Sequence, residues 1–231
     1  MTITGHLSTD QSSVVALYSA GVAGSGAFRR ERREVLRTRL LDAARDITTE
    51  SGWSSLTMSA VAGRAGISRQ HLYNEIGTKA ELGSALVGRE TDGFVAVMCE
   101  QMRAHPADAV AGVVAAVRDV LEYGARNALL TSILTVDEGV GESLLPLVTA
   151  RPDVVRDRAA TALLREISAL HPALAGVADL PRLVDGVVRL VVSHATSPGD
   201  STEPAVAQAG WLLRGFLGGA AGPGGAGVSP G

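Results

Sequence analysis

Between Thr57 and Glu81 the chain carries three helix starts in quick succession, and that punctuation leaves little freedom in what it can fold into. Thr57 precedes Met58, Val61, Ala62 and Ala65, apolar residues at helical spacing, so it is placed to cap a two-turn helix. Gly66 closes that helix. Ser68 is placed to cap a second one, with Ile67 before it and Leu72 after it set as a hydrophobic staple. Thr78 and Glu81 form a capping box for a third. Two short helices joined by a tight glycine-containing turn are how helix-turn-helix units are built.

The rest of the chain reads as helix too. Short β-branched runs such as Val187-Val188 sit inside segments with helical spacing, while Gly and Pro fall where helices end. Helices are expected over about Arg30 to Ser51, closed by Gly52, then Lys79 to Ala104, Ala107 to Tyr123, Ala128 to Thr135, Glu142 to Thr149, Pro152 to Leu170, Pro181 to Ala195 and Pro204 to Leu217. Pro106, Pro152, Pro181 and Pro204 suit first helical turns, where a missing N–H costs nothing. Residues 1–28 read as a flexible extension, and 218–231, with 7 Gly and 2 Pro in 14 residues, as a disordered tail.

Composition narrows the class. With 46% hydrophobic and 19% charged residues over 231 positions, the chain has apolar side chains enough for a sizeable core. The single cysteine, Cys99, excludes an intrachain disulfide framework and a cysteine-based zinc site within one chain. No run is long and apolar enough for a spanning helix, and the amino-terminal stretch lacks the basic residues of a secretory signal, so a cytoplasmic protein without a membrane partner is expected. Charge is unevenly spread. Residues 29–90 hold 11 basic and 8 acidic side chains although the whole chain has net charge -3, which suits one segment to a polyanion.

At about 100° per residue, Leu72 and Ile76 of the second short helix face inward, which turns Gln70, His71 and Asn74 outward with Arg69 and Tyr73 on the flanks. Gln and Asn can pair with adenine edges, His with a base edge, Arg69 with guanine or phosphate, and Tyr73 with phosphate or a thymine methyl. Any amphipathic surface helix also shows polar residues outward. Two neighbours tip the balance toward an anionic partner: Arg69 is a cation at the positive end of a helix, and Lys79, the only lysine, repeats the arrangement at the next helix start. Arg29, Arg30, Arg32, Arg33, Arg37 and Arg39 are suited either to phosphate attraction or to a solvated helix start balanced by Glu31 and Glu34.

The stretch from Leu40 to Leu86 resembles the TetR-type transcriptional repressors. The matching residues are Leu41-Asp42-Ala43-Ala44, Glu50-Ser51-Gly52-Trp53, Thr57-Met58-Ser59-Ala60-Val61-Ala62, Ala65-Gly66-Ile67-Ser68, Leu72-Tyr73 and Lys79-Ala80-Glu81-Leu82. Thr48 and Ile76 stand where that family usually has phenylalanines, so lighter packing is expected there. Ser68 to Glu75 and Val191 to Pro198 are also similar to an actinobacterial subgroup linked to fatty-acid and alkane metabolism. The resemblance implies an all-α fold: a three-helix DNA-binding domain over 29–78, then a larger helical ligand-binding and dimerisation domain over 79–217. It implies DNA contacts from Thr57, Ser68 and the residues after it, Tyr73 and Lys79.

The region after Glu90 carries no catalytic motif, and the five histidines are scattered, so neither enzyme, cofactor nor metal site is expected. A pocket of the kind the resemblance implies would draw on Phe94, Met98, Met102, Val113, Val117, Leu121, Leu130, Ile133, Leu134 and Leu144, aliphatic walls suited to an apolar or amphipathic effector. Leu183, Val187, Val188 and Val191, with Ala209, Leu212, Leu213 and Phe216, offer more apolar surface than an outer helix pair needs, and a four-helix bundle between two copies would bury it. The expected function is a homodimeric repressor of a palindromic operator, released by a small molecule. The competing expectation is a small-molecule sequestering or protein-interaction module whose head reads no DNA.

Overall fold

The computed structural model describes residues 11–135, 143–149 and 155–220, with side chains over 28–134, 143–148 and 155–217. The chain runs through α1 (Gln11–Ser51), α2 (Met58–Ala65), α3 (Arg69–Glu75), α4 (Lys79–Ala104), α5 (Ala109–Arg126), α6 (Ala128–Thr135), α7 (Leu145–Thr149), α8 (Arg156–Leu170), a 3-10 turn (Pro172–Leu174), α9 (Leu180–Thr196) and α10 (Glu203–Ala220). Among the described residues there is no strand, as the helical spacing predicts.

The caps read from the sequence form the head. Thr57 Oγ1 accepts from the Ala60 N–H at 3.1 Å, and Ser68 Oγ accepts from the His71 N–H at 3.2 Å. Gly66 sits between them at φ +69, ψ 35, a left-handed conformation that a Cβ disfavours, and its N–H returns to the end of α2. Thr78 and Glu81 make the full capping box: the Glu81 carboxylate accepts the Thr78 N–H at 2.7 Å while Thr78 Oγ1 accepts the Glu81 N–H at 3.3 Å. Those bonds favour the ionised form and hold the Glu81 carboxyl below its ordinary range.

Two cores result. The head core joins Leu40, Ala44 and Ile47 of α1, Val61 and Ala65 of α2, Leu72 of α3 and Leu82 and Leu86 of α4, and it reaches Leu129 and Ile133 of α6. Trp53 closes it from the α1–α2 loop. Gly83 makes that possible, because a Cβ there would stand 3.0 Å from the indole and 2.9 Å from Leu144. Thr48 is buried, and its hydroxyl donates to the Ala44 carbonyl at 2.7 Å, so the polar group is satisfied within its own helix. Ile76 packs half-buried against the same core. The body core unites Met98 and Met102 of α4 with faces of α5, α8, α9 and α10.

Several boundaries differ from those expected. α1 begins at Gln11, so backbone read as flexible extension is helical from there; Asp10, a residue type suited to a helix cap, directly precedes it in the sequence, but no apolar periodicity follows to mark a helix. α5 is capped by Asp108, whose carboxylate accepts the Ala111 N–H at 2.9 Å, and Pro106 lies in the turn before it. Pro181 and Pro204 do occupy first turns, at α9 and α10. α10 continues through Gly218 to Ala220. Residues 1–10 and 221–231, Glu142 and Pro152 lie outside the described residues.

Gly66→Ala should destabilise the head by about 1–2 kcal/mol, the cost of a left-handed non-glycine residue. Gly63→Ala, inside α2 with open space around its Cα, should instead stabilise it by about 0.5–1 kcal/mol. Chemical denaturation of both variants checks this, and equal effects would contradict the turn geometry.

Candidate nucleic-acid interface and ligand cavity

The outward side of α3 is built by one inward residue. Leu72 is fully buried, and it turns Arg69, Gln70, His71, Tyr73 and Asn74 to the surface, with Ser68 exposed at the cap. Side chains one turn apart brace each other: Arg69 Nη2 donates to Tyr73 Oη at 3.2 Å with its guanidinium 5.3 Å from the ring centroid, and Gln70 Nε2 donates to Asn74 Oδ1 at 3.1 Å. Thus the six expected residues of this segment share one exposed side that no other part of the described chain covers.

Thr57 and Lys79 flank it. Thr57 is exposed at the start of α2 with its hydroxyl engaged by the cap. Lys79 is half-buried, its ammonium 5.2 Å from the Trp53 ring and 3.5 Å from the Ser54 carbonyl, close to the loop that leads into Thr57. Lys79 is therefore held by aromatic and carbonyl contacts at the head's edge, more tightly than an exposed lysine.

Nearby carboxylates are already answered. Arg64 grips Glu50 with two bonds of 2.9 and 2.8 Å, which hold that carboxyl below its ordinary range. Arg33 Nε meets Glu75 at 2.6 Å, and Arg39 Nη2 donates to the Ala65 carbonyl at 2.6 Å. These ties between α1 and the reading unit were not visible in the sequence, where Glu31 and Glu34 were the apparent partners.

Behind the head lies a cavity of about 130 Å³ lined by α4, α5, α6, α7, α8 and α9. Phe94, Met98, Val113, Val117, Leu130 and Ile133 line it, and so do Val187, Val188 and Val191, which the sequence pattern assigns to a dimer surface. Met102 and Leu121 pack instead into the body core, Leu144 into the head core against Gly83, and Leu134 stands half-buried off the cavity. Leu183 is half-buried, Ala209 and Leu213 are buried inside their own chain, and Leu212 and Phe216 remain half-exposed. A broad apolar stripe on a helix does not say which part faces its own core, so periodicity alone misplaced the α9 valines.

Polar groups gather at one end of the cavity. Glu90 of α4 receives Arg45 Nε of α1 at 3.2 Å and Asn127 Nδ2 at 2.9 Å. Asn127 Oδ1 in turn accepts the Leu130 N–H at 3.0 Å, capping α6. That donor fixes the amide orientation. One residue pair farther on, Ser132 Oγ donates to the Thr48 carbonyl at 2.9 Å. α6 is thus both a wall of the cavity and a strut against α1. The sequence reading missed Glu90 and Asn127; the signal available was Asn127 directly before a helix start.

No group of three His, Cys, Asp or Glu side chains able to hold a metal ion occurs among the described residues. His194 hydrogen-bonds through Nδ1 to the Leu190 carbonyl at 2.9 Å within its own helix. No described helix is long and apolar enough to cross a membrane.

Comparison with known proteins agrees with this layout. Residues 40–86 match the family model of bacterial regulatory proteins of the tetR family, and residues 108–214 match that of the bacterial tetracyclin repressor C-terminal domain. The HTH-type transcriptional regulator AlkX of Mycobacterium tuberculosis is 30% identical over 185 residues, covering 80% of this chain and 86% of the relative. The crystal structure of the TetR family repressor AlkX from Dietzia sp. strain DQ12-45-1b, implicated in biodegradation of n-alkanes, superposes with a TM-score of 0.66 at 21% identity, over 78% of this chain and 97% of that one. RolR in complex with resorcinol gives 0.53 at 16% identity, over 80% of this chain and 89% of that one. The chain belongs to the TetR family of transcriptional regulators.

Proposed function

We propose that this regulator is a homodimeric repressor that reads a palindromic operator through α3 and leaves it when an aliphatic small molecule enters the cavity. The single observation that carries the reading is the shared wall: α4 and α6 line an apolar cavity, and both are tied by hydrogen bonds to α1, which carries the reading unit.

Gln70 and Asn74 present amide edges for adenine, Arg69 and His71 flank them, and Ser68, Thr57, Tyr73 and Lys79 address the backbone. Two copies are needed for a palindrome, and the outer side of α10 offers the joint: Trp211 is 70% exposed beside half-exposed Leu212 and Phe216. Ala209 and Leu213, on the inner side of the same helix, are buried in the body core.

The effector is inferred from the walls. They are almost entirely Val, Leu, Ile, Ala and Met, with Phe94 the aromatic contributor, and the polar end is satisfied by its own Arg45–Glu90–Asn127 bonds. An aliphatic molecule fits that surface better than a planar aromatic one such as the resorcinol bound by RolR, and the n-alkane connection of the Dietzia repressor points the same way. A cavity of ~150 Å³ is known to hold benzene, so a longer chain enters only if the walls part. Such a ligand favours the parted state, and α4 and α6 pass the displacement to α1.

The test is selection of duplexes from a random pool by the purified protein, followed by release with a homologous series of n-alkanes and 1-alkanols. Gln70→Ala and Asn74→Ala should each reduce discrimination between operator variants by about 1–3 kcal/mol at each half-site, while Lys79→Ala should weaken all duplexes alike and flatten the salt slope of the dimer by about 2, one contact per copy. Unchanged binding in all three would overturn the contact assignment, and no selection by the parent would favour a sequestering role. Val191→Phe, which fills the cavity, should abolish release while leaving operator affinity within about twofold. Release at the parent's ligand concentration would place the effector elsewhere.

A further inference from the structure

α1 is longer than a three-helix head requires, and its charge is arranged rather than scattered. Measured around the helix from the buried Leu40, Arg29, Arg33, Arg37 and Arg30 fall between about -20° and +80°, the direction of the head core, with Arg32 and Arg39 off that stripe at about -80° and -100°, whereas Glu34 and Glu31 fall at about 120° and 180°. The stripe that is apolar at Leu40, Ala44 and Ile47 therefore becomes basic once the helix passes the edge of the head, with Leu36 the last half-buried apolar residue. Acidic residues occupy the back.

The direction is checked by a contact. Arg33 reaches Glu75, the last residue of α3, at 2.6 Å, so the basic stripe lies on the same side of α1 as the reading helix and begins where that helix ends. Among the described residues no carboxylate pairs with Arg30 or Arg37. Arg30 is exposed and Arg37 half-exposed. Beyond Phe28 the backbone stays helical to Gln11, adding about 25 Å at 1.5 Å per residue.

We infer that the basic stripe of α1 is a second duplex-contacting surface, a phosphate-binding arm that continues past the end of α3 and carries affinity without sequence preference. It rests on the reading of α3 given above, because α3 defines the side on which the duplex lies. A stripe of three to four arginines suits the regular negative charge of a duplex backbone, one charge per ~1.7 Å of axis. An acidic protein surface or a membrane would be the other polyanions to meet such a stripe, but neither is aligned by α3.

The test uses the full chain and a duplex it selects from a random pool, made once with long flanks and once trimmed flush to the selected site. Fluorescence anisotropy over a series of KCl concentrations gives the affinity and its salt slope. The variant carrying R29A, R30A and R37A should lose about 4–6 from the slope, three arginines on each of two copies at ~0.9 per phosphate contact, lose the parent's preference for the flanked duplex, and keep the parent's ranking of operator variants. The corresponding triple Lys variant should keep the parent's slope. A slope and flank preference like the parent's in the Ala variant overturns the arm, as does a Lys variant as impaired as the Ala one, which would mark a packing role. Failure of the α3 reading looks different: Gln70→Ala and Asn74→Ala would leave the operator ranking untouched while the slope still fell in the arginine variant.

Discussion

The structure depends on α4 belonging to two cores at once. Leu82 and Leu86 near its start are buried in the head, and Met98 and Met102 near its end are buried in the body. A helix of 26 residues, about 39 Å long, is stiff over that distance, so neither core can move along it independently. The capping box at Thr78 sets where the helix begins, and Gly83 lets Trp53 and Leu144 close against its first turns. That continuity makes α4 one of the elements that join the head core to the body.

α6 adds a second route between the same two places. It enters the head core through Leu129 and Ile133, lines the cavity with those residues and Leu130, and is capped by Asn127, which also holds Glu90. Glu90 holds Arg45 of α1. The polar bonds at the cavity end are therefore structural rather than idle: each donor there has a named acceptor, and a molecule that displaced one partner would strand another. Unpaired polar groups in a mostly apolar setting cost about 1–3 kcal/mol, a size suited to shifting a regulatory equilibrium.

Local chemistry was legible in the sequence where the signal and its cause lie a few residues apart. Thr57, Ser68 and the Thr78–Glu81 pair are caps as read, and α4 has the expected ends, because capping is decided within one turn. Long-range placement was less legible. The α9 valines form one broad stripe, and only the packing of α4, α5 and α8 decides that Val187, Val188 and Val191 face the cavity. Arg45, Glu90 and Asn127 are far apart in the chain and have no local pattern in common, so their network appears only when α1, α4 and α6 meet. The start of α1 was missed for the opposite reason: Asp10 precedes it as a cap-type residue, but the Ser-, Gly- and Ala-rich run behind it gives propensity and periodicity little to decide on.

Amide hydrogen exchange of the full chain tests the central claim, that occupation of the cavity is felt at the reading head through α4 and α6. Adding a medium-length n-alkane should change protection at residues 87–95 and 127–133 and, in the same titration, at residues 45–48 of α1, while adding the selected duplex should protect residues 69–75. Changes confined to the cavity walls, with 45–48 untouched at saturation, would contradict it.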